Sequence, residues 1–308
     1  MTQSQQIMVW ALAVGALLAI LDPRRPRLAL RYARFVVLLA LALVFLAPLI
    51  WVTCAAFKDR SVLMEYSFLP PVAMWAETLN LQNFRDLFTP HPSLRGPVTF
   101  GQYFLNSLFL SSTATIVQMF FCSLGGYALA KYNFKGKRAL MFGMLGSMML
   151  PYYLFLAPLF EMMVNIGWID SYLSLLVPTA ATAFGVFLFR QAILSVPDSL
   201  IEAARVDGAG EFRIYLQIIM PLVQPMTAAF CLIVFLASWN SFVAPQMFIQ
   251  SMHKLTTPVM LAQYVQQYQQ HYGMFLAGTF LAILPIAVLF LVLQREFIAG
   301  LTSGAVKG

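Results

Sequence analysis

Residues 202–221 form a polar island in a very apolar chain, reading Glu-Ala-Ala-Arg-Val-Asp-Gly-Ala-Gly-Glu-Phe-Arg-Ile-Tyr-Leu-Gln-Ile-Ile-Met-Pro. The chemistry on offer there is docking, not bond making. Ser199 and Glu202 stand at capping-box spacing, which predicts a helix with Ser199 as N-cap and Glu202 reaching back to the free N–H. Gly208 suits the left-handed stop at a helix C-terminus. A second helical stretch is expected from about Glu211, and Pro221 and Pro225 mark the start of the next apolar segment. Ala203 and Ala204 leave one side of the first helix nearly flat, open to close approach of another protein.

Bond-making constellations are absent from the sequence. No paired carboxylates, nucleophile–base arrangement or metal-ligand cluster is visible, so no catalytic or metal residue is assigned. His91, His253 and His271 stand apart from one another, and Cys54, Cys122 and Cys231 fall in apolar segments without metal or redox spacing. No Gly-x-x-x-x-Gly-Lys-Ser/Thr string occurs, so the chain has no P-loop for a nucleotide.

These residues must be positioned by membrane spans. The chain is 60% apolar and 10% charged over 308 residues, which excludes a soluble globular domain of this size. Apolar runs near the ~20 residues that cross a bilayer occur at about 35–57, 105–130, 139–164, 172–194, 222–248 and 273–294. A shorter run, 7–21, is either an additional first span with Met1 outside or an interfacial helix. Its flank carries no positive charge, which argues against a secretory signal. The fold class expected is an all-α integral membrane protein with a six-helix core, with or without that extra N-terminal helix. The boundaries follow: an N-terminal segment over 1–34, a transmembrane domain over 35–294 that includes the polar loop at 197–221, and a tail over 295–308.

Charge sets the orientation. If the Arg24, Arg25, Arg27, Arg31 and Arg34 cluster is cytoplasmic, alternation of the spans places fourteen of the nineteen Lys and Arg residues inside. Only Lys58, Arg60, Arg85, Arg95 and Lys254 remain outside. The net charge of +7 therefore reports membrane orientation and not a nucleic-acid partner. The polar island falls on the cytoplasmic side. Two external loops are long: 58–104, rich in Pro and Trp, and 249–272, where Gln263, Gln266, Gln267, Gln269 and Gln270 alternate with Tyr264, Tyr268 and Tyr272. The second is either a solvated loop anchored by interfacial tyrosines or a hydrogen-bonding, ring-stacking contact surface.

The island resembles the cytoplasmic loop of permease subunits in ABC importers, whose pattern is Glu-Ala-Ala, three residues, Gly, nine residues, Ile, one residue, Leu-Pro. Glu202, Ala203, Ala204, Gly208, Ile218 and Pro221 meet it, and Met220 replaces Leu. Asp207 precedes the glycine. Further strings extend the likeness: Leu105-Asn106-Ser107-Leu108, Gly126-Tyr127-Ala128-Leu129-Ala130, Ser238-Trp239-Asn240-Ser241-Phe242, and the ending from Gln294-Arg295 to Gly300-Leu301-Thr302-Ser303-Gly304-Ala305-Val306-Lys307-Gly308. Together they look like the maltose-type (MalG-like) permease of carbohydrate-uptake ABC importers from about residue 35 onward. The first 30 residues depart from that pattern.

The resemblance implies a multi-pass subunit of the bacterial inner membrane. Its partners would be a second homologous permease, two ATPase subunits that use ATP and Mg, and an extracytoplasmic solute-binding protein. It implies no enzyme activity and no cofactor of the chain's own. The loop at 202–221 would dock in the ATPase subunit, and the tail would either reach the ATPase dimer or fray. The cargo implied is a sugar or oligosaccharide. A polyol, a glycerol phosphate ester or a charged oligosaccharide is the alternative. Candidates for the path are Gln118, Tyr152, Tyr153, Glu161, Trp239, Asn240 and Ser241, because polar groups within spans face protein or water. Trp239 and Asn240 would combine an aromatic face with neutral donors and acceptors, although aromatic residues near span ends also anchor at interfaces and Asn also bonds neighbouring helices. A proton- or sodium-driven carrier would bury several ionisable groups, whereas Glu161 is nearly alone.

Overall fold

The computed structural model describes residues 26–90, 96–266 and 271–303, in two units divided at Asn80. The segment 7–21, the Gln267–Gln270 run and the last five residues of the tail lie outside the described residues.

In the first unit, α1 (Pro26–Ala56) is a 31-residue helix starting on a proline, a residue whose fixed φ suits a first helical position. Its stretch Leu30–Ala56 has a mean hydropathy of 2.9 and is long and apolar enough to span a bilayer. Val44 and Phe45 are among its most exposed side chains. Beyond α1, residues 57–80 are folded back on themselves. The Asp59 N–H donates to the Thr78 carbonyl and the Asn80 N–H to the Phe57 carbonyl, each at 2.8 Å. The Lys58 side chain, 1% exposed, donates to the Tyr66 carbonyl. Burial pushes that ammonium below its ordinary pKa.

The second unit is built on α3 (Phe100–Lys131), preceded by α2 (Gln82–Phe88). One stripe of α3, including Tyr103, Ser107, Leu110, Ala114, Cys122, Gly126 and Leu129, is buried, at the three- and four-residue spacing of a helix face. Against it pack α6 (Ala183–Leu194) and α9 (Gln224–Trp239), and α9 also packs on α12 (Tyr272–Ser303). The α3–α6 crossing is very tight: a Cβ at Gly126 would sit 2.6 Å from the Phe189 Cβ and 2.8 Å from the Arg190 backbone nitrogen. Only glycine fits there. Contact this close between backbones is how apolar helices associate without a hydrophobic drive from water.

Three of the expected spans are not single helices. The run 139–164 is broken into α4 (Lys137–Ser147) and a second piece, Tyr152–Asn165, that contains α5 (Leu156–Asn165), with a 97° bend between the two pieces. Pro151 stands at the break with φ −62° and ψ 129°; its ring excludes the helix before it. The run 172–194 is divided into a short helix, Leu173–Leu176, and α6, where Thr182 caps the helix by accepting the Gly185 N–H at 3.1 Å. The run 222–248 stops at Trp239 and resumes as α10 (Val243–Phe248). Among the described residues three helices, within α1, α3 and α12, are each long and apolar enough to span. Counting each sharply bent pair as one crossing brings the total to six.

At the end that charge assigns to the outside, two loops are tied together. The Asp170 backbone has φ +59°, and its carboxylate accepts the N–H of Gln250 at 3.1 Å, the N–H of Ser251 at 2.9 Å and the Lys254 ammonium at 3.1 Å. Burial alone would raise its pKa, but these bonds and one from the Ser251 hydroxyl hold it well below the usual carboxylate range. The Asn106 amide adds bonds of 2.9 Å to the carbonyls of His253 and Leu255. The loop after Phe248 is thus largely structured, as α11 (Thr257–Gln266). Tyr264, expected in an exposed contact surface, is fully buried.

Candidate functional site: a polar elbow and a neutral cavity

The polar island folds as an elbow. After α6 the chain turns 80° into α7 (Asp198–Val206), and after α8 (Glu211–Ile214) and a π turn it bends 84° between Leu222 and α9. Gly208 has φ +79°, the left-handed stop expected of it. The second helical stretch begins at Glu211 as expected, and Pro221 lies in its last turn, Met220–Leu222. Ile218 is half-buried and packs on the core beneath the elbow.

Two expectations for the elbow are corrected. Ser199 is not the N-cap: Pro197 is, with φ −61° and ψ 135° and no side-chain bond, so Ser199 and Glu202 lie inside the helix. The proline dihedral already gives the extended geometry a cap requires, so the helix starts before the capping box can form. Ala203 and Ala204 do not share an open side. Ala204 is buried with Ile201 beneath the helix, and Ala203 is exposed beside Glu202. Asp207 and Gly208 are also exposed.

The elbow is tied to α3 at both ends. The Lys131 ammonium donates to the Val196 carbonyl at 2.5 Å and to the Asp198 carboxylate at 2.6 Å. At the other end the Glu211 carboxylate accepts the Arg205 guanidinium at 2.7 Å and the Tyr127 hydroxyl at 3.0 Å, and also the Tyr132 hydroxyl. Arg205 first, then the tyrosines, pull the Glu211 pKa down to about 2. What that adds to folding is complete above the unfolded value of about 4.3 and is lost only as pH falls through about 2, so Glu211 is an anion at neutral pH. Underneath, the Ser123 hydroxyl bonds the Tyr215 hydroxyl at 2.7 Å. Ile201, Ala204, Ile214 and Tyr215 share one apolar core with Cys122, Phe189 and Phe230. None of the residues at these ties was singled out for this role in the sequence: Lys131 and Arg205 entered only as orientation charges.

A cavity of about 580 Å³ opens among α3, the 152–155 turn, α9 and the segments around them. Gln118, Tyr152, Tyr153, Asn240 and Ser241 all line it, brought together from three separate parts of the chain. Ser107, Thr179 and Thr256 add hydroxyls, and among the described residues no lining residue is Asp, Glu, Lys, Arg or His. The Gln118 amide is partly exposed and makes no bond among the described residues, whereas the Asn240 amide donates to the Leu236 carbonyl at 2.9 Å. Two expected path residues lie elsewhere. Trp239 is buried, its indole N–H donating to the Ala282 carbonyl at 3.1 Å and its ring stacked 5.7 Å from Phe235. Glu161 is exposed on α5 and does not line the cavity.

A family profile described as "binding-protein-dependent transport system inner membrane component" matches residues 122–295. The arabinooligosaccharides transport system permease protein AraQ of Halalkalibacterium halodurans is 34% identical over 268 residues, 87% of this chain and 93% of that protein. The melibiose/raffinose/stachyose import permease protein MelC of Bacillus subtilis is 35% identical over 211 residues, 68% of this chain and 76% of the relative. Among solved structures, a chain of a bacterial ABC transporter involved in import of the acidic polysaccharide alginate superposes with a TM-score of 0.76 over 89% of this chain and 98% of its own, at 22% identity, which supports the fold. The chain belongs to the family of inner-membrane components of binding-protein-dependent transport systems, and it is a permease subunit of an ABC importer.

Proposed function

We propose that this subunit carries a neutral sugar or oligosaccharide through the cavity beside α3, delivered by an extracytoplasmic solute-binding protein and driven by separate ATPase subunits docked on the elbow. The observation that carries the cargo assignment is the cavity wall: hydroxyls, amides, aromatic rings and aliphatic side chains, with no Asp, Glu, Lys, Arg or His among the described residues. Such a wall matches the neutral hydroxyls and apolar ring faces of a sugar. An anionic cargo would gain most from a desolvated Arg or Lys, and none lines this cavity. The names of the relatives, which describe arabinooligosaccharide and raffinose-type import, agree with that class.

The remaining roles follow from chemistry. The chain works without catalysis or a cofactor of its own, and ATP with Mg is used by two partner ATPase subunits. A second homologous permease completes the path. Glu202 and Ala203, exposed on α7, form the surface offered to the ATPase, while Ala204, Asp207, Gly208, Ile218 and Pro221 give the elbow its shape. Gln118→Ala tests the cargo reading. In the assembled complex the variant should lower sugar uptake about fivefold, the scale of one lost hydrogen bond of ~1 kcal/mol, with complex abundance and basal ATP hydrolysis unchanged. Unaltered uptake with Gln118→Ala, Ser241→Ala and Asn240→Ala alike would remove the sugar from this cavity.

A further inference from the structure

Three connections leave the elbow, and they differ mechanically. The link to α6 turns through 80° at Ser195–Pro197, and the link to α9 turns through 84° at Val223 after a π turn. Each is a place where motion can be absorbed. The third is α3, an unbroken helix of 32 residues, about 48 Å long at 1.5 Å per residue. It is joined to the elbow by side chains, not by the main chain.

We propose that Glu211 is a positioning residue for transport, fastening α7 to α3 so that displacement of the elbow reaches the cavity wall as movement of one strut. The inference rests on the reading that α7 is the ATPase contact. The nine residues of α7 are too few to hold a helix orientation alone, and only Ile201 and Ala204 are buried on it. Its direction is therefore set by what grips its ends. Lys131 grips the start through Val196 and Asp198. Glu211 grips the finish, joining Arg205 of α7 to Tyr127 of α3 and to Tyr132 just beyond it. One carboxylate thus collects donors from three segments, in the charge-assisted form that is both strong and directional. Gly208 supplies the turn that returns the chain from Arg205 to Glu211, with the Gly208 N–H on the Arg205 carbonyl at 3.0 Å and the Ala209 N–H on the Ala204 carbonyl at 2.9 Å. The same α3 presents Ser107, Leu110, Ala114 and Gln118 to the cavity, about two and a half to five and a half turns along the helix from Tyr127.

The test uses the full complex in proteoliposomes and reads sugar imported per ATP hydrolysed. Glu211→Arg and Arg205→Glu should each lower that ratio about tenfold, the scale set by charged hydrogen bonds. The double exchange should return it to within about twofold of the parent, because the pair is restored and tyrosine hydroxyls can accept as well as donate. Should a charge-reversed chain fail to assemble, Tyr132→Phe removes one donor and leaves the ion pair; it should lower the same ratio. An unchanged ratio in Glu211→Arg or in Tyr132→Phe, or a double exchange that assembles without recovering, overturns the strut. A cysteine at Ala203 separates the two readings. Its cross-link to the ATPase, present alongside an unchanged ratio, sinks the strut alone, and absence of that cross-link in an otherwise native complex sinks the coupling site itself.

Discussion

Gly208→Pro should abolish coupled uptake. The residue sits at φ +79°, and proline holds φ near −65°, so the turn between α7 and α8 cannot keep its path. The substitution also deletes the N–H that bonds the Arg205 carbonyl at 3.0 Å. Together these cost about 3 kcal/mol or more, which corresponds to a loss of about a hundredfold in the population holding the native elbow. Gly208→Ala keeps the N–H and meets only the left-handed strain of about 1 kcal/mol; it should retain partial uptake. Co-purification of the ATPase with each variant, set beside uptake, is the measurement. Full transport by Gly208→Pro at normal membrane abundance would show that the turn is dispensable.

The second large effect is expected at Trp239, and it is an effect on assembly. The ring is 2% exposed, stacks on Phe235 and meets Phe104 edge-on with centroids 5.5 Å apart. Trp239→Ala leaves a void of that size between α9 and α12 and removes the indole bond to the Ala282 carbonyl, a loss of about 3–5 kcal/mol. The variant should accumulate poorly in the membrane, whereas Asn240→Ala, one residue on, should accumulate normally. Quantitative immunoblotting of membranes distinguishes the two. Normal abundance of Trp239→Ala with a specific loss of uptake would return the ring to the cargo path.

These two residues mark what the sequence can and cannot reveal. Gly208 is legible because a glycine after nine helical residues has a local conformational reason to be there. Trp239 is not, because an indole packed between helices and an indole lining a path have the same neighbours in sequence. The same limit applies to Tyr264, whose alternation with glutamines suggests a surface while tertiary packing buries it. Hydropathy finds the apolar runs but not their bends. Pro151 breaks one run by 97°, a break that the proline itself announces but that an average over the window conceals. The elbow's ties are the least legible part. Lys131 meets Asp198 across 67 residues and Tyr127 meets Glu211 across 84; neither pair has a local signature. A lysine that counts toward orientation also clamps a helix, and only the fold shows the second role. The clasp of Asp170 with Lys254 is hidden for the same reason.

The central claim is that this permease moves a neutral sugar at the expense of ATP hydrolysed elsewhere. The most direct measurement is uptake into proteoliposomes holding the complete complex, with a panel of labelled neutral oligosaccharides, acidic oligosaccharides and sugar phosphates. The account predicts accumulation of a neutral sugar only when its binding protein is present outside and ATP with Mg is available to the ATPase subunits, with acidic cargo excluded. Accumulation driven by a proton or sodium gradient without ATP, or preference for an anionic cargo, would contradict it.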